Sequence, residues 1–511
     1  MTSPFFLTHP VLPWTLDLSA MGLDEAAFAS LPWDRALAGM TALEAGAIAN
    51  PDEERQVGHY WLRAPELAPT LGQAQQIGDM VEAVRDFAFA VRNGVRGGPA
   101  GAFTDVLHVG IGGSALGPAL LLDALSAGDG LRVHFLDNTD PDGIARVLRG
   151  LPLPTTLVLV VSKSGGTPET RTGMLLVREA LEEAQLSPRR HMVAITGEGS
   201  KLDALAAEEG WLARFPMWDW VGGRTSVTAA VGLLPAELAG IDTHALLSGA
   251  ADMDGWTRVQ DPLLNPAALL AGAWHLVGGG VGDRNMVVVP YSDRLLLLSR
   301  YLQQLVMESL GQRLDRQGRE VHQGLSVFGN KGSTDQHAFI QQLRDGRDDF
   351  FLLFLQVLED GVGRSTEVGE GVNAGDFLQG FLLGTRRALR EEGRLSATLT
   401  VRRVDAYALG GLIALFERAV GLYAELIDIN AYHQPGVEAG KKAAAVLLSL
   451  SRSLREEVAR APGTAAQLAE RLGAEPLECW YILERLAATH RVGRTGDGLD
   501  TRYGPLSRWE I

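Results

Sequence analysis

The sequence predicts an α/β protein: two tandem doubly wound parallel-sheet halves, a helical N-terminal lead-in and a small winged-helix-like module at the C-terminus. Three observations carry this. Short aliphatic runs alternate with helical stretches from Asp105 to Val401, the signature of strands buried on both faces of a parallel sheet. The run Leu157–Val161 stops at a cluster of hydroxyls and glycines and passes into a helical pattern, which is a strand, a loop and a helix start in sequence. The chain has 511 residues, enough for three or so units at roughly 150 residues each.

Residues 1–100 mix polar and apolar positions at helical spacing, with Ala, Gln and Val frequent from Leu71 to Val95, and form the lead-in. The first half, 101–280, carries runs at 106–110, 131–137, 156–162 and 191–196, with a shorter one near Phe215. The second half, 281–460, carries runs at 285–293, 349–358 and 395–401. Strands alternating with helices in this way build right-handed crossovers in parallel sheets. Arg460–Gly463 is a small Pro/Gly break. Beyond it, 461–511 reads as helix, Gly473 turn, helix and a Gly-rich hairpin.

Composition narrows the function classes. Hydrophobic residues make 46% and charged residues 21% of the chain, as in an ordinary soluble enzyme. The net charge of −16 has no long acidic run, which argues against nucleic acid or an acidic membrane as partner. In the C-terminal module the second helix has Glu478 and Glu484 against Arg485, a poor balance for a groove-binding helix. The single cysteine, Cys479, excludes an intrachain disulfide or a cysteine-cluster metal site and fits a reducing compartment. The opening MTSPFFLTHPVLPW has no basic region before an apolar core, and no long uncharged apolar segment occurs. The expected location is the cytoplasm.

Five stretches carry chemistry. In Thr155–Thr170, Thr167 is a candidate N-cap, Pro168 suits the first helical position and Glu169 suits the positive end of the dipole. Backbone N–H groups of the glycine loop around Gly165 and Gly166 and of the helix start, with the hydroxyls of Ser162, Ser164, Thr167 and Thr170, form an anion cradle, most simply for a phosphate. Lys163 is its one cation, so neutral donors dominate; an ordinary capped turn is the plainer alternative. In His108–Pro118, Gly110, Gly112 and Ala115 satisfy G-x-G-x-x-A, and Asp137 ends the next strand, so a nicotinamide site is an alternative. Against it, the loop continues through Gly113 and Ser114 as a wider donor-rich turn, a second cradle follows, and no hydride-transfer site does. Gly113 and Ser114 serve equally as sugar contacts, and the expected cofactor is none.

Arg224 sits on a glycine turn before a small-residue helical run; such an arginine is commonly a solvated cap, but flanked by Trp218 and Trp220 it is expected in a cleft, where a fixed guanidinium can stabilise an oxyanion. On the expected helix Leu295–Leu314, Leu298, Leu302, Leu305, Val306 and Leu310 form the apolar stripe, and Gln304 and Glu308 lie together beside Tyr301 at its edge. Glu308 is then either an exposed carboxylate or a partly desolvated base. His337 follows a Gly-rich loop near an expected helix N-terminus, which disfavours imidazolium. Lys442 pairs at i+4 with Glu438, whereas Lys441 falls on the face of Val437, Ala444, Ala445 and Leu448, where an ammonium needs an anion to meet it. No His/Asp metal cluster is expected.

Together these motifs resemble the glucose-6-phosphate isomerase (phosphoglucose isomerase) family, in the correct order from Val106 to Leu450. The resemblance implies two sugar-isomerase domains and an aldose–ketose isomerase of glycolysis and gluconeogenesis, acting on glucose 6-phosphate and fructose 6-phosphate through a cis-enediol. It implies that Gly113, Ser114 and the loop Ser162–Thr167 hold the sugar phosphate, Gln304 contacts substrate, Glu308 transfers the proton and Arg224 stands by the enediolate. His337 and Lys441, with Gln434 nearby, are implied in ring opening. It implies a homodimer in which His337 enters the opposite subunit's site. The alternatives are an isomerase that also accepts mannose 6-phosphate and a catalytically silent phosphosugar-binding regulator. The resemblance does not account for Thr464–Ile511.

Overall fold

A computed structural model describes residues 3–10, 12–361, 367–369 and 371–506, with backbone alone at 437–439. The chain forms two compact units, Met1–His433 and Gln434–Ile511.

The first unit opens with β1 (Phe6–Thr8) and β2 (Trp14–Ala20). The lead-in is therefore helical only in part. Trp14, Leu16 and Leu18 alternate with smaller polar side chains and are buried, a period of two that suits a strand. A five-stranded sheet follows, of β3 (Asp105–Val109), β4 (Arg132–Leu136), β5 (Thr156–Ser162), β6 (Met192–Thr196) and β7 (Ala213–Pro216), in the order β4-β3-β5-β6-β7 with every pairing parallel. Every expected run of the first half is a strand. β5 is buried along its whole length, as its unbroken aliphatic sequence requires.

The second sheet uses β8 (Asn285–Pro290) and, after a short antiparallel pair of β9 (Gln312–Leu314) and β10 (Glu320–Gln323), β11 (Val327–Phe328) and β12 (Phe350–Val357). Another small pair, β13 (Glu367–Gly369) and β14 (Val372–Asn373), precedes β15 (Ser396–Val401). The order is β1-β2-β15-β12-β8-β11, parallel from β15 to β11. β2 runs antiparallel to β15 and closes the edge that the parallel strands leave open. The helix Ala406–Ile427 is buried almost throughout, and its apolar sequence reflects that all-round cover.

The second unit has the long helix Pro435–Arg460, the helices Ala465–Leu472 and Pro476–Ala488 joined by a left-handed Gly473, and a three-stranded sheet. Its strands are β16 (Gly463–Thr464), β17 (Gly493–Thr495) and β18 (Arg502–Gly504), in the order β16-β18-β17. This is the helix-turn-helix and hairpin that the sequence predicts. Among the described residues no helix is long and apolar enough to cross a membrane.

Candidate active site

The first sheet fixes where a ligand can sit. Taken in chain order its strands lie 2-1-3-4-5, so the winding reverses between β3 and β5. Loops at the carboxyl ends of strands separate at such a reversal and leave a crevice. The loops that leave β3 and β5 are residues 110–115 and 162–167, the two glycine-rich stretches of the sequence.

The first loop is closed onto the turn that bears Arg224. A Cβ at Gly113 would stand 2.1 Å from the Gly223 carbonyl oxygen and 2.7 Å from the Arg224 nitrogen, so only glycine permits this approach. A Cβ at neighbouring Gly112 would lie 3.2 Å from Gln304 Nε2. Beneath the loop, His108 Nε2 donates to the Ser114 carbonyl at 2.6 Å. Burial pushes the His108 imidazole down to about 4, so the ring is neutral and serves as a strut.

In the second loop, Ser162 Oγ donates to Thr167 Oγ1 at 3.1 Å, and Ser164 Oγ accepts from the Gly166 N–H at 3.2 Å. Gly165 has φ +64°, and a Cβ there would meet the Leu202 nitrogen at 2.4 Å. Pro168 and Glu169 open the helix Pro168–Glu183 as expected. Thr167 is the N-cap residue as expected, but its side chain makes no cap bond, because its Oγ1 accepts from Ser162. The first N–H groups of the helix are thereby left to an outside acceptor. Lys163 is anchored at the base of this loop. Its Nζ donates to the carbonyls of Asp219 at 3.1 Å and Val221 at 3.0 Å, so it ties the cradle to the next turn. Burial pulls this ammonium down to about 8, against the pull of Asp219.

Arg224 and Glu308 meet at the third side. The guanidinium is buried, its Nε donates to Ser309 Oγ at 2.7 Å, and Nη2 donates to the carbonyls of Ala431 at 2.5 Å and His433 at 3.3 Å. Nη1 lies 3.4 Å from Glu308 Oε2. Burial works to lower the arginine pKa, and Glu308 works against it. Trp218 and Trp220 stack on each other at 4.7 Å; the bonds that fix the guanidinium come from Ser309 and the 431–433 backbone.

The segment that carries Glu308 departs from the continuous helix expected over Leu295–Leu314. An α-helix, Leu298–Leu302, gives way to a π-helix over Gln303–Glu308, and β9 follows. The stripe Leu298, Leu302, Leu305, Val306 and Leu310 is buried, with Tyr301 inside rather than at its edge. Gln304 and Glu308 are half-buried. A wider turn of this kind changes the direction of side chains relative to an α-helix, and such turns recur at functional sites.

The family profile described as Phosphoglucose isomerase matches residues 34–365 and 362–466. The chain belongs to the phosphoglucose isomerase family. It is 56% identical over 508 residues to the glucose-6-phosphate isomerase of Synechococcus elongatus, covering 98% of this chain and 96% of the relative. It is 54% identical over 495 residues to that of Nostoc punctiforme, covering 94% and 93%. Among solved structures it is similar to a glucose-6-phosphate isomerase from Chlamydia trachomatis, with TM-score 0.79 and 28% identity over 87% of this chain and 90% of that one.

The remaining residues that the family resemblance implies lie on other elements. His337 ends the 3-10 turn Thr334–His337, ahead of the helix Ile340–Asp345, and is exposed. A place at a helix N-terminus is thus corrected: the Asp335 carboxylate accepts the Asn330 N–H at 3.0 Å and closes the turn onto the loop before it. In the second unit, Gln434 takes the N-cap position of the helix Pro435–Arg460 and is half-buried. Lys441 is exposed, and so are Ala444, Ala445 and Leu448. The apolar face on which Lys441 was expected is not buried within this unit, whose core starts further along the helix at Leu454 and Val458. Val437 and Glu438, invoked for the two lysines, lie outside the described side chains. The sequence reading missed Ser309 and the carbonyls of Ala431 and His433. The adjacency of Ser309 to Glu308 was the available signal for the first; backbone acceptors carry none.

Proposed function

We propose that the chain interconverts glucose 6-phosphate and fructose 6-phosphate by moving a proton between C2 and C1 through a cis-enediol. The observation that carries this is the buried Arg224 guanidinium 3.4 Å from the Glu308 carboxylate, beside a glycine cradle at the switch point of the first sheet. Aldose–ketose exchange needs a base for the carbon-bound proton and a cation for the oxygen that becomes an enediolate. Glu308 is the base. As it takes the proton its charge is cancelled and the enediolate oxygen acquires one, while Arg224 stays in place to neutralise each in turn. The phosphate is held by the hydroxyls and N–H groups of 162–167, and the sugar by Gly113, Ser114 and Gln304. His337 and Lys441, with Gln434, open the ring. The dual-specificity reading is not favoured, since the relatives are named for glucose 6-phosphate alone.

The working form is a cytoplasmic homodimer in which the exposed His337 completes the partner's site. The decisive assay supplies fructose 6-phosphate without added cofactor and couples glucose 6-phosphate formation to a reporter enzyme. Turnover is expected, and its absence from folded protein overturns the reading. For the dimer, mixing inactive His337→Ala and Glu308→Gln chains under exchange conditions should restore activity, because each mixed dimer holds one site with both residues intact. No recovery despite demonstrated exchange places His337 in its own subunit's site.

A further inference from the structure

The residue after the base has a buried hydroxyl: Ser309 is 2% exposed. Its Oγ accepts from Arg224 Nε at 2.7 Å, on one edge of the guanidinium. Nη2 is taken by the Ala431 and His433 carbonyls. A planar cation held at both Nε and Nη2 cannot turn in its plane, and Nη1 lies 3.4 Å from Glu308 Oε2. The second grip is itself anchored. Asn430 Nδ2 donates to Asn50 Oδ1 at 2.9 Å and to Asp52 Oδ2 at 2.5 Å, while Asn430 Oδ1 accepts from the Tyr432 N–H at 3.0 Å.

We infer that Ser309 is a positioning residue for the isomerisation, holding the Arg224 guanidinium in register with the Glu308 carboxylate. Because Glu308 and Ser309 are consecutive, the base and the anchor of its counter-charge ride on one backbone segment. Any shift of that segment moves both together, which keeps their separation constant. The inference rests on Arg224 as the cation for the enediolate, so the experiment separates the two claims.

Losing a hydrogen bond to a buried charged group costs about tenfold to a hundredfold when the bond acts in the transition state. Ser309→Ala is expected to lower kcat by about tenfold or more, with KM for fructose 6-phosphate within about twofold, since the enediolate charge is absent from the ground state. The same substitution in an Arg224→Ala background should add nothing, because the group it positions is gone. A wild-type kcat for Ser309→Ala, or an equal loss in both backgrounds, overturns the inference and leaves the role of Arg224 intact. Full activity of Arg224→Ala overturns that role and the inference with it. Thermal unfolding checks each variant; if Ser309→Ala does not fold, Ser309→Cys keeps the volume, replaces the oxygen by a weak acceptor and carries the same comparison.

Discussion

At the scale of single residues, chemistry and close packing divide the work. Glu308→Gln keeps the shape and removes the proposed base, so kcat should fall by at least ~10² while binding of a competitive sugar phosphate persists. Near-wild-type turnover in steady-state assays removes Glu308 from the mechanism. Gly113→Ala makes a different demand. Its methyl would stand 2.1 Å from the Gly223 carbonyl oxygen, so the loop after β3 and the turn bearing Arg224 must part. Lower thermal stability and weaker sugar phosphate binding should appear together, by calorimetry and titration. Tight binding with unchanged stability means the two backbones separate without consequence. From the sequence alone Glu308 was a candidate at the edge of an apolar stripe, open between exposed carboxylate and base, and Gly113 a candidate by its loop. The reason for Gly113 was not legible, because the backbone that excludes a side chain there comes from residue 223.

At the scale of elements, the buried helix Ala406–Ile427 carries a charged network with its own pH dependence. Arg63 pairs with Asp254 and Glu417, both at 2.5 Å, and Arg418 with Glu44 at 2.9 Å. Burial raises the Glu417 carboxyl to about 7, against the pull of Arg63. Burial also works to raise Glu44, but Arg418 and Arg258 outweigh it and hold that carboxyl at about 2. The signs are opposite. Glu417 binds its proton more tightly folded than unfolded, so its contribution is complete below its ordinary 4.5 and lost as pH rises through about 7. The contribution of Glu44 is present above 4.5 and lost as pH falls toward 2. Glu417→Gln should therefore flatten the decline in Tm between about pH 4.5 and pH 7 while leaving the acid limb in place. An equal decline in mutant and wild type, read from thermal melts, rules out Glu417 as its source. The π-helix Gln303–Glu308 belongs to this scale too. Its sequence has the hydrophobic spacing of an α-helix, and the extra residue per turn is visible only in the folded backbone.

At the scale of the whole molecule, the part after Arg460 lies almost wholly beyond the family profile, which stops at residue 466. Within the second unit, Leu454 and Val458 of the long helix are covered by Leu468, Leu483, Leu486 and Tyr503. Ending the chain after Arg460 uncovers two side chains whose burial stabilises by about 1.5–3 kcal/mol each. The truncated protein should unfold at lower temperature or assemble differently, with kcat little changed because no proposed catalytic residue is lost. A kcat loss as large as that of Glu308→Gln, in a truncated chain that still melts cooperatively, would assign the module a part in catalysis.

The sequence by itself determined the alternation of strands and helices and the two glycine-rich loops after β3 and β5, because each rests on local periodicity or on residue type, and it supplied Glu308 and Arg224 as the proposed base and cation. It also determined the small C-terminal module, from a break, two helical stretches, a glycine turn between them and a Gly-rich hairpin. Tertiary structure alone decided that β1 and β2 close the second sheet, that Thr167 gives its cap bond to Ser162, that Lys163 ties two loops, and that Ser309 and the 431–433 carbonyls grip Arg224. These depend on groups far apart in the chain and on backbone acceptors that every residue possesses. No pattern along one dimension distinguishes which of them will meet.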